Sequence, residues 1–235
     1  MPILRAPARL YDWPALEAVA PDERWHPCVF ERGDPEQREA MDALVARDRV
    51  TGVFDRHEAQ LEELVRVRAP DRELSRAELS AELEALAAPG GRGRSGRWVY
   101  YPWSGRLVHV LEPARFRELR SDRNRYKITP AEQTALASLR VGIVGLSVGN
   151  AVANTLALEG AFGELRLADF DTLSLSNTNR VRCGVHELGL NKAILCARQI
   201  YEQDPYARLV LYTDGITRDN VSSFLDAGGA LDVVV

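Results

Sequence analysis

Cysteine is scarce in this 235-residue chain: Cys28, Cys183 and Cys196, with no C-x-x-C pair among them. Such spacing signals neither a zinc knuckle nor a disulfide framework, and predicts reduced thiols in a cytoplasmic protein. Lysine is scarcer still. Two lysines stand against 28 arginines, and the basic residues are scattered among 34 acids rather than gathered into a block. With a formal net charge of -4, the composition lacks the electrostatic footprint of a nucleic-acid binder, and no nucleic-acid partner is expected. Nowhere do 18 apolar residues run together, which excludes a helical membrane span. The opening "MPILRAPARLYDWP" is broken by charge and proline within a few residues, unlike a signal peptide. No internal repeat and no low-complexity tract occurs.

What is present divides near residue 120. Residues 1 to about 33 carry prolines and tryptophans without a period and read as irregular. Asp34 then precedes Pro35, the N-cap and first-turn pair of a helix over "DPEQREAMDALVARD", with Met41, Leu44 and Val45 on one face. A second helix reads through "DRHEAQLEELVRVR" to Pro70. A third starts at the Ser75/Glu78 capping box and ends near Ala88-Pro89. "PGGRGRSGR" (89 to 97) is a loop by composition. "WVYYPWSGRLVHVLE" predicts a β-hairpin turning at Ser104-Gly105. Its aromatics Trp98, Tyr100, Tyr101 and Trp103 read as the core of a small sheet rather than a ligand platform, and His109 as a structural residue.

From residue 130 the pattern alternates. Thr129-Pro130 opens a helix, followed by strand "RVGIVG", a helix from about Asn150 to Glu159, strand "ELRLAD", a helix near 189 to 203, strand "ARLVLYT", a helix over "ITRDNVSSFLDA" capped by Thr217, and a buried strand "LDVVV". Strand–helix alternation with short loops predicts an α/β fold with a parallel sheet and right-handed crossovers. The smaller region before it, 1–119, combines helices with the hairpin.

The loop "VGLSVGN" (144 to 150) sits between a buried strand and a helix, where a phosphate-cradling turn belongs. Gly145 can make the tight turn, and Gly149 permits close packing or phosphate approach. Ser147 stands where a dinucleotide fingerprint has its second glycine. Asp169 follows Gly145 by 24 residues, near the distance at which Rossmann-type folds place an acid on the ribose. These two features are compatible with NAD, FAD or ATP. The polar loop through Arg180 to Lys192 favours ATP, because a transferring phosphoryl group is stabilised by cationic clamps.

The stretch "VGIVGLSVGN…LADFDTLSLSNTNR" resembles the ThiF/MoeB/HesA adenylyltransferases, relatives of the ubiquitin-activating enzymes. It keeps that family's D-x-D-x-x-x-x-S-N-x-x-R from Asp169 and Asp171 through Asn177 to Arg180, and the resemblance covers about residues 120–235. The glycine loop departs from the family and can be fitted ungapped or with one residue deleted. The resemblance implies a Rossmann-like, ThiF-type nucleotide-binding fold that uses ATP and Mg2+ to adenylate a carboxylate. That carboxylate would be the C-terminus of a ubiquitin-like or sulfur-carrier protein, or another acid. Asp169 would hold the ribose, Asn177 and Arg180 would sit by the phosphates, and Lys192 would reach the α- or β-phosphate. An arginine of "SDRNRYKIT", Arg125 in preference to Arg123, would serve the neighbouring subunit of a homodimer. No metal ligand is assigned: the family's magnesium-binding aspartate follows the strand that here reads "LDVVV". The chain is therefore expected to be a fragment with impaired adenylation. The order of its parts resembles large bacterial proteins that continue into a nitroreductase-like domain. Cys183 and His186 read as bystanders. Two rival readings remain open: a non-catalytic nucleotide-binding subunit, and an NAD(P)- or FAD-dependent oxidoreductase.

Overall fold

The computed structural model describes residues 21–31, 33–47, 50–87, 91 and 95–235. The irregular N-terminus and the loop expected at 89–97 lie partly outside these residues. The first half contains strands β1 (Cys28–Phe30), β2 (Gly52–Asp55), β3 (Arg97–Tyr101) and β4 (Arg106–Val110), with helices α1 (Pro35–Arg47), α2 (His57–Arg68), α3 (Arg76–Leu86) and α4 (Pro113–Ser121). Local chemistry sets several starts. The Asp34 carboxylate accepts the Glu36 N–H at 2.9 Å beside Pro35, and Ser75 and Glu78 form the reciprocal capping box of α3.

Where the sequence pattern predicts only the β3–β4 hairpin, the structure builds a four-stranded sheet in the order β1-β3-β4-β2, with β2 parallel to β4. β1 and β2 are three and four residues long. Their partners lie far away in sequence, so local alternation carries little signal. α4 buries none of its residues, which leaves no apolar stripe to read.

The second half runs α5 (Pro130–Leu136), β5 (Arg140–Val144), α6 (Gly149–Glu159), β6 (Glu164–Ala168), α7 (Lys192–Gln203), β7 (Leu209–Tyr212), α8 (Val221–Asp226) and β8 (Val233–Val234). Its strands form a parallel sheet in the order β7-β6-β5-β8, the α/β arrangement expected from the alternation. One boundary differs. Thr217 and Asn220 bond each other's backbone N–H groups at 3.3 and 2.8 Å, closing a turn ahead of α8, so the helix begins at Val221, after Asn220, rather than directly after Thr217 as its cap.

The two faces of this sheet are covered unequally. Val141, Ile143, Leu165 and Leu167 point to α6 and α7 and join a core that also contains Val99, Tyr101 and Val110 of the N-terminal sheet. α7 is thus covered on both sides, which explains why nine of its twelve residues are buried. Each fully buried Leu or Ile there contributes about 1.5–3 kcal/mol. The other face of β3 and β4, with Trp98, Tyr100 and Leu107, packs on Met41 and Leu44 of α1. The hairpin aromatics are therefore divided between two cores.

On the opposite face of the parallel sheet, Gly142 leaves room for Phe224 and Leu231, whose atoms a Cβ would meet at 2.7 and 2.5 Å. Beside it the fully buried Arg166 donates to Glu164 at 2.8 Å and to the carbonyls of Phe224, Ala227 and Gly229 at 2.5–2.6 Å. Among the described residues, no helix is long and apolar enough to cross a membrane.

In the N-terminal sheet, His109 stacks on both His57 and Trp98, with ring centroids 4.5 and 4.6 Å apart. Burial, followed by the charge of His109, pushes His57 down to about 4, with Asp55 opposing and Arg115 adding to the effect. A folded-state value below that of the free histidine means the unfolded chain takes up the proton first. The stability His57 contributes is therefore complete above about pH 6.5 and lost as pH falls toward 4. Urea titrations at steps between pH 7 and pH 4 should show a shallower loss of stability in His57→Phe than in the parent. Equal slopes would exclude this role.

Candidate functional site

β5 has β6 on one side and β8 on the other, so the chain leaving β5 enters the point where connections diverge to opposite sides of the sheet. Open α/β sheets form their ligand crevices there. Gly145 takes φ +85°, a left-handed turn suited to glycine, and its N–H donates to the Ala168 carbonyl at the end of β6 at 2.8 Å. The side chain of Leu146 is fully buried, pinning the loop from beneath. Gly149 serves a different purpose: a Cβ would lie 2.5 Å from Cγ2 of Ile143, so its absence lets α6 start against β5. Between these glycines, the backbone N–H groups of Ser147 and Val148 have no partner among the described residues. They sit at the N-terminus of α6, where unpaired N–H groups and the helix dipole favour an anion.

Asp169 organises the neighbouring loop. One carboxylate oxygen accepts the Leu146 N–H at 2.7 Å and the other accepts the Asp171 N–H at 2.8 Å. Each oxygen keeps a further acceptor site. Lys192, the first residue of α7, is buried, with 4% of its side chain exposed. Its ammonium donates to Asp171 at 2.8 Å and to the Ser147 hydroxyl at 3.3 Å. Gly145, Ser147, Gly149, Asp169, Asp171 and Lys192 therefore form one connected constellation.

Asn191 was not singled out in the sequence, although asparagine ahead of a helix is a strong N-cap signal. Its Oδ1 accepts the Ala193 N–H at 2.8 Å, while its amide donates to the carbonyls of Asp169 and Thr213 at 3.0 and 3.1 Å. It thereby ties the start of α7 to the ends of β6 and β7.

The remaining candidates lie outside this contact network. Asn177 is buried, and its side chain accepts the Ser174 N–H at 3.0 Å, closing a short 3-10 turn. Arg180 is exposed, bonding Ser176 O at 3.4 Å and Asn179 Oδ1 at 3.0 Å. Their loop is anchored by Leu173, Val181 and Leu190 packed on Ile194 and Leu195. Arg125 stands at the other end of the sheet, beside the starts of β5 and β6. There it pairs with Asp122 and donates to Val67 O at 3.3 Å. Burial and Glu187 push the Cys183 thiol up, and burial pushes Cys196 to about 12, so neither is activated as a thiolate. His186 is exposed in a separate 3-10 turn. Among the described residues no three His, Cys, Asp or Glu side chains converge to hold a metal.

Comparison with known proteins gives a consistent picture. The ThiF family model matches residues 121–235. An uncharacterized protein of Mycobacterium tuberculosis (strain CDC 1551 / Oshkosh) is 55% identical over 139 residues, covering 59% of this chain and 19% of that protein. The tRNA threonylcarbamoyladenosine dehydratase of Escherichia coli K12 is 33% identical over 94 residues, covering 39% and 35%. The ubiquitin-like modifier-activating enzyme 5 of Bombyx mori is 29% identical over 167 residues, covering 67% and 40%. The matches thus span 19–40% of these relatives' own lengths.

The packing of the loop is directly testable. Gly149→Ala should lower unfolding free energy by about 1–3 kcal/mol, because the added methyl group must displace Ile143. Ser147→Ala should stay within about 0.5 kcal/mol of the parent. Denaturant titration of both variants distinguishes a packing glycine from a freely replaceable one.

Proposed function

We propose, from the premise that residues 121–235 are a ThiF-family domain, that this chain binds ATP at the 145–149 loop and serves in adenylating a substrate carboxylate. The observation that carries this reading is the meeting, at one switch-point loop, of two unpaired N–H groups and the buried Lys192 ammonium beside Asp169. The N–H groups suit phosphate oxygens. The spare acceptor sites of Asp169 suit the two ribose hydroxyls. Lys192 is already held against the loop, so a phosphate there would compete with the exposed Asp171 carboxylate for the ammonium.

In the proposed reaction a carboxylate oxygen attacks the α-phosphorus, forming a new P–O bond. The bond from that phosphorus to the oxygen bridging to the β-phosphate breaks, pyrophosphate leaves with the electron pair, and an acyl-adenylate remains. Negative charge developing on the phosphoryl oxygens is what Lys192 would stabilise. Arg180 and Asn177, on the loop between Asp169 and Lys192, are proposed to approach the phosphates once nucleotide is bound. Arg125, at the far end of its own sheet, would reach such a site only across a homodimer. Mg2+ would enter with the nucleotide phosphates. The described residues offer no convergent ligand set for it, so no protein ligand is assigned. The substrate class proposed is a protein C-terminus of the ubiquitin-like or sulfur-carrier kind, or another carboxylate.

ATP with Mg2+ should raise the unfolding temperature of the chain in a concentration-dependent way, and NAD+ should not. Lys192→Ala should weaken that protection and cut ATP–pyrophosphate exchange about 10²-fold in any form of the protein that supports exchange. Protection by NAD+ without protection by ATP would favour the oxidoreductase reading. ATP binding with no exchange under any condition would favour a non-catalytic nucleotide-binding subunit.

A further inference from the structure

A cavity of about 770 Å3 opens at the amino ends of β5 and β6, between α4, α5 and the C-terminal turn of α6. It lies at the opposite end of the sheet from the 145–149 loop, and of the residues of the site proposed above only Arg125 lines it. Its size falls within the range of small-molecule sites. Part of the wall is apolar, supplied by Ile128, Ala137, Leu158 and Phe162. The polar floor is internally satisfied. Asn124 donates to Gln133 at 2.8 Å and to the Glu159 carbonyl at 3.1 Å, and Gln133 donates to the Gly160 carbonyl at 3.1 Å.

The charge balance around the cavity is uneven. Arg68 pairs with Glu118 through two bonds of 2.6 and 2.7 Å, Arg125 with Asp122, and Arg208 with Glu164 at 3.1 Å. Glu159 has Lys127 at 3.6 Å, and Asp204 accepts the Tyr206 N–H at 2.9 Å. Arg117 and Arg120 of α4, and Arg140 at the start of β5, also line the cavity; no guanidinium of the three is in an ion pair among the described residues, although the Asp232 carboxylate accepts the Arg140 backbone N–H at 2.8 Å. Arg120 and Arg140 are only half-exposed, with the Arg140 guanidinium against Gly229. Ala114, Arg117, Glu118 and Ser121 share one stripe of α4, at helical spacing, facing the cavity. Once the ion pairs are discounted, the cavity keeps a positive charge beside an apolar wall.

We propose that this cavity binds an amphipathic organic anion, its carboxylate, sulfonate or phosphate ester meeting Arg117 and Arg120 and its apolar body lying on Ile128 and Phe162. Charge-assisted bonds from guanidinium to such a group would set its orientation, and the apolar wall would supply most of the buried area.

Fluorescence titration with 8-anilinonaphthalene-1-sulfonate provides the test, because the dye carries one sulfonate on an aromatic body. The parent chain should bind it saturably, with unchanged affinity in saturating ATP–Mg2+. The double variant Arg117→Glu/Arg120→Glu should weaken binding at least about tenfold, a loss of about 1.4 kcal/mol. Neither arginine is in an ion pair, so its unfolding midpoint should match the parent. Arg117→Lys/Arg120→Lys should retain binding within about threefold. Undiminished dye affinity in the charge-reversed variant, displacement by ATP, or absence of saturable binding would each overturn the proposal. The first and third outcomes leave the reading of the 145–149 loop intact. Conversely, failure of ATP to bind would not affect the dye titration.

Discussion

The Asp169 carboxylate is the constraint on which the carboxyl end of the parallel sheet depends. One side chain holds the N–H of Leu146 in the first loop and the N–H of Asp171 in the second. It thereby fixes the distance between a helix N-terminus and the segment that carries Asp171. Lys192 and Asn191 then complete a closed circuit. Asp171 receives the ammonium, Ser147 receives its second bond, and Asn191 fastens α7 to the ends of β6 and β7. A carboxylate that orders two loops while keeping free acceptor positions would meet the proposed nucleotide without having to be rebuilt around it.

The N-terminal sheet takes part in this preparation at a distance. Lys192 owes its position to α7, and α7 owes its burial to two sheets rather than one. Tyr101 reaches the carbonyl of Tyr201 at 3.2 Å, and Trp103 reaches Glu202 at 2.8 Å, while the Arg198 guanidinium lies 5.5 Å from the Trp103 ring centre. The hairpin aromatics act as supports for the helix that presents the lysine, a physical role for a region outside the family match.

The parts legible in the sequence were those written in local chemistry. Caps at Asp34, Ser75 and Thr129 marked helix starts, the alternation from residue 130 indicated the parallel sheet, and the D-x-D motif pointed to the carboxyl end of β6. The two short strands β1 and β2 were not legible, because their pairing depends on residues about 54–72 positions away. The order β7-β6-β5-β8 is likewise a property of crossovers. At the candidate site, Gly145, Gly149, Asp169 and Lys192 could be picked out by type and spacing. Asn191 required knowing that three chain segments meet at one point. The unpaired N–H groups of Ser147 and Val148 are backbone features, which no side-chain pattern encodes. Arg180 and Asn177 sit on the expected loop, but their contacts stay local to it.

Arg166 gives the back of the molecule a different mechanical character from its front. α8 has six residues and buries only Phe224, too little apolar area to secure a wall by contact alone. Three backbone carbonyls at its exit are instead gripped by one buried guanidinium. Directional bonds of this kind do not slide: a partial shift of α8 would leave buried guanidinium N–H groups without acceptors, at a cost of about 1–3 kcal/mol for each. The β5–β8 side of the sheet thereby behaves as an anvil, a fixed surface against which the loops on the other side can adjust, with the strain of any ligand-driven movement borne by the loops and not by the sheet.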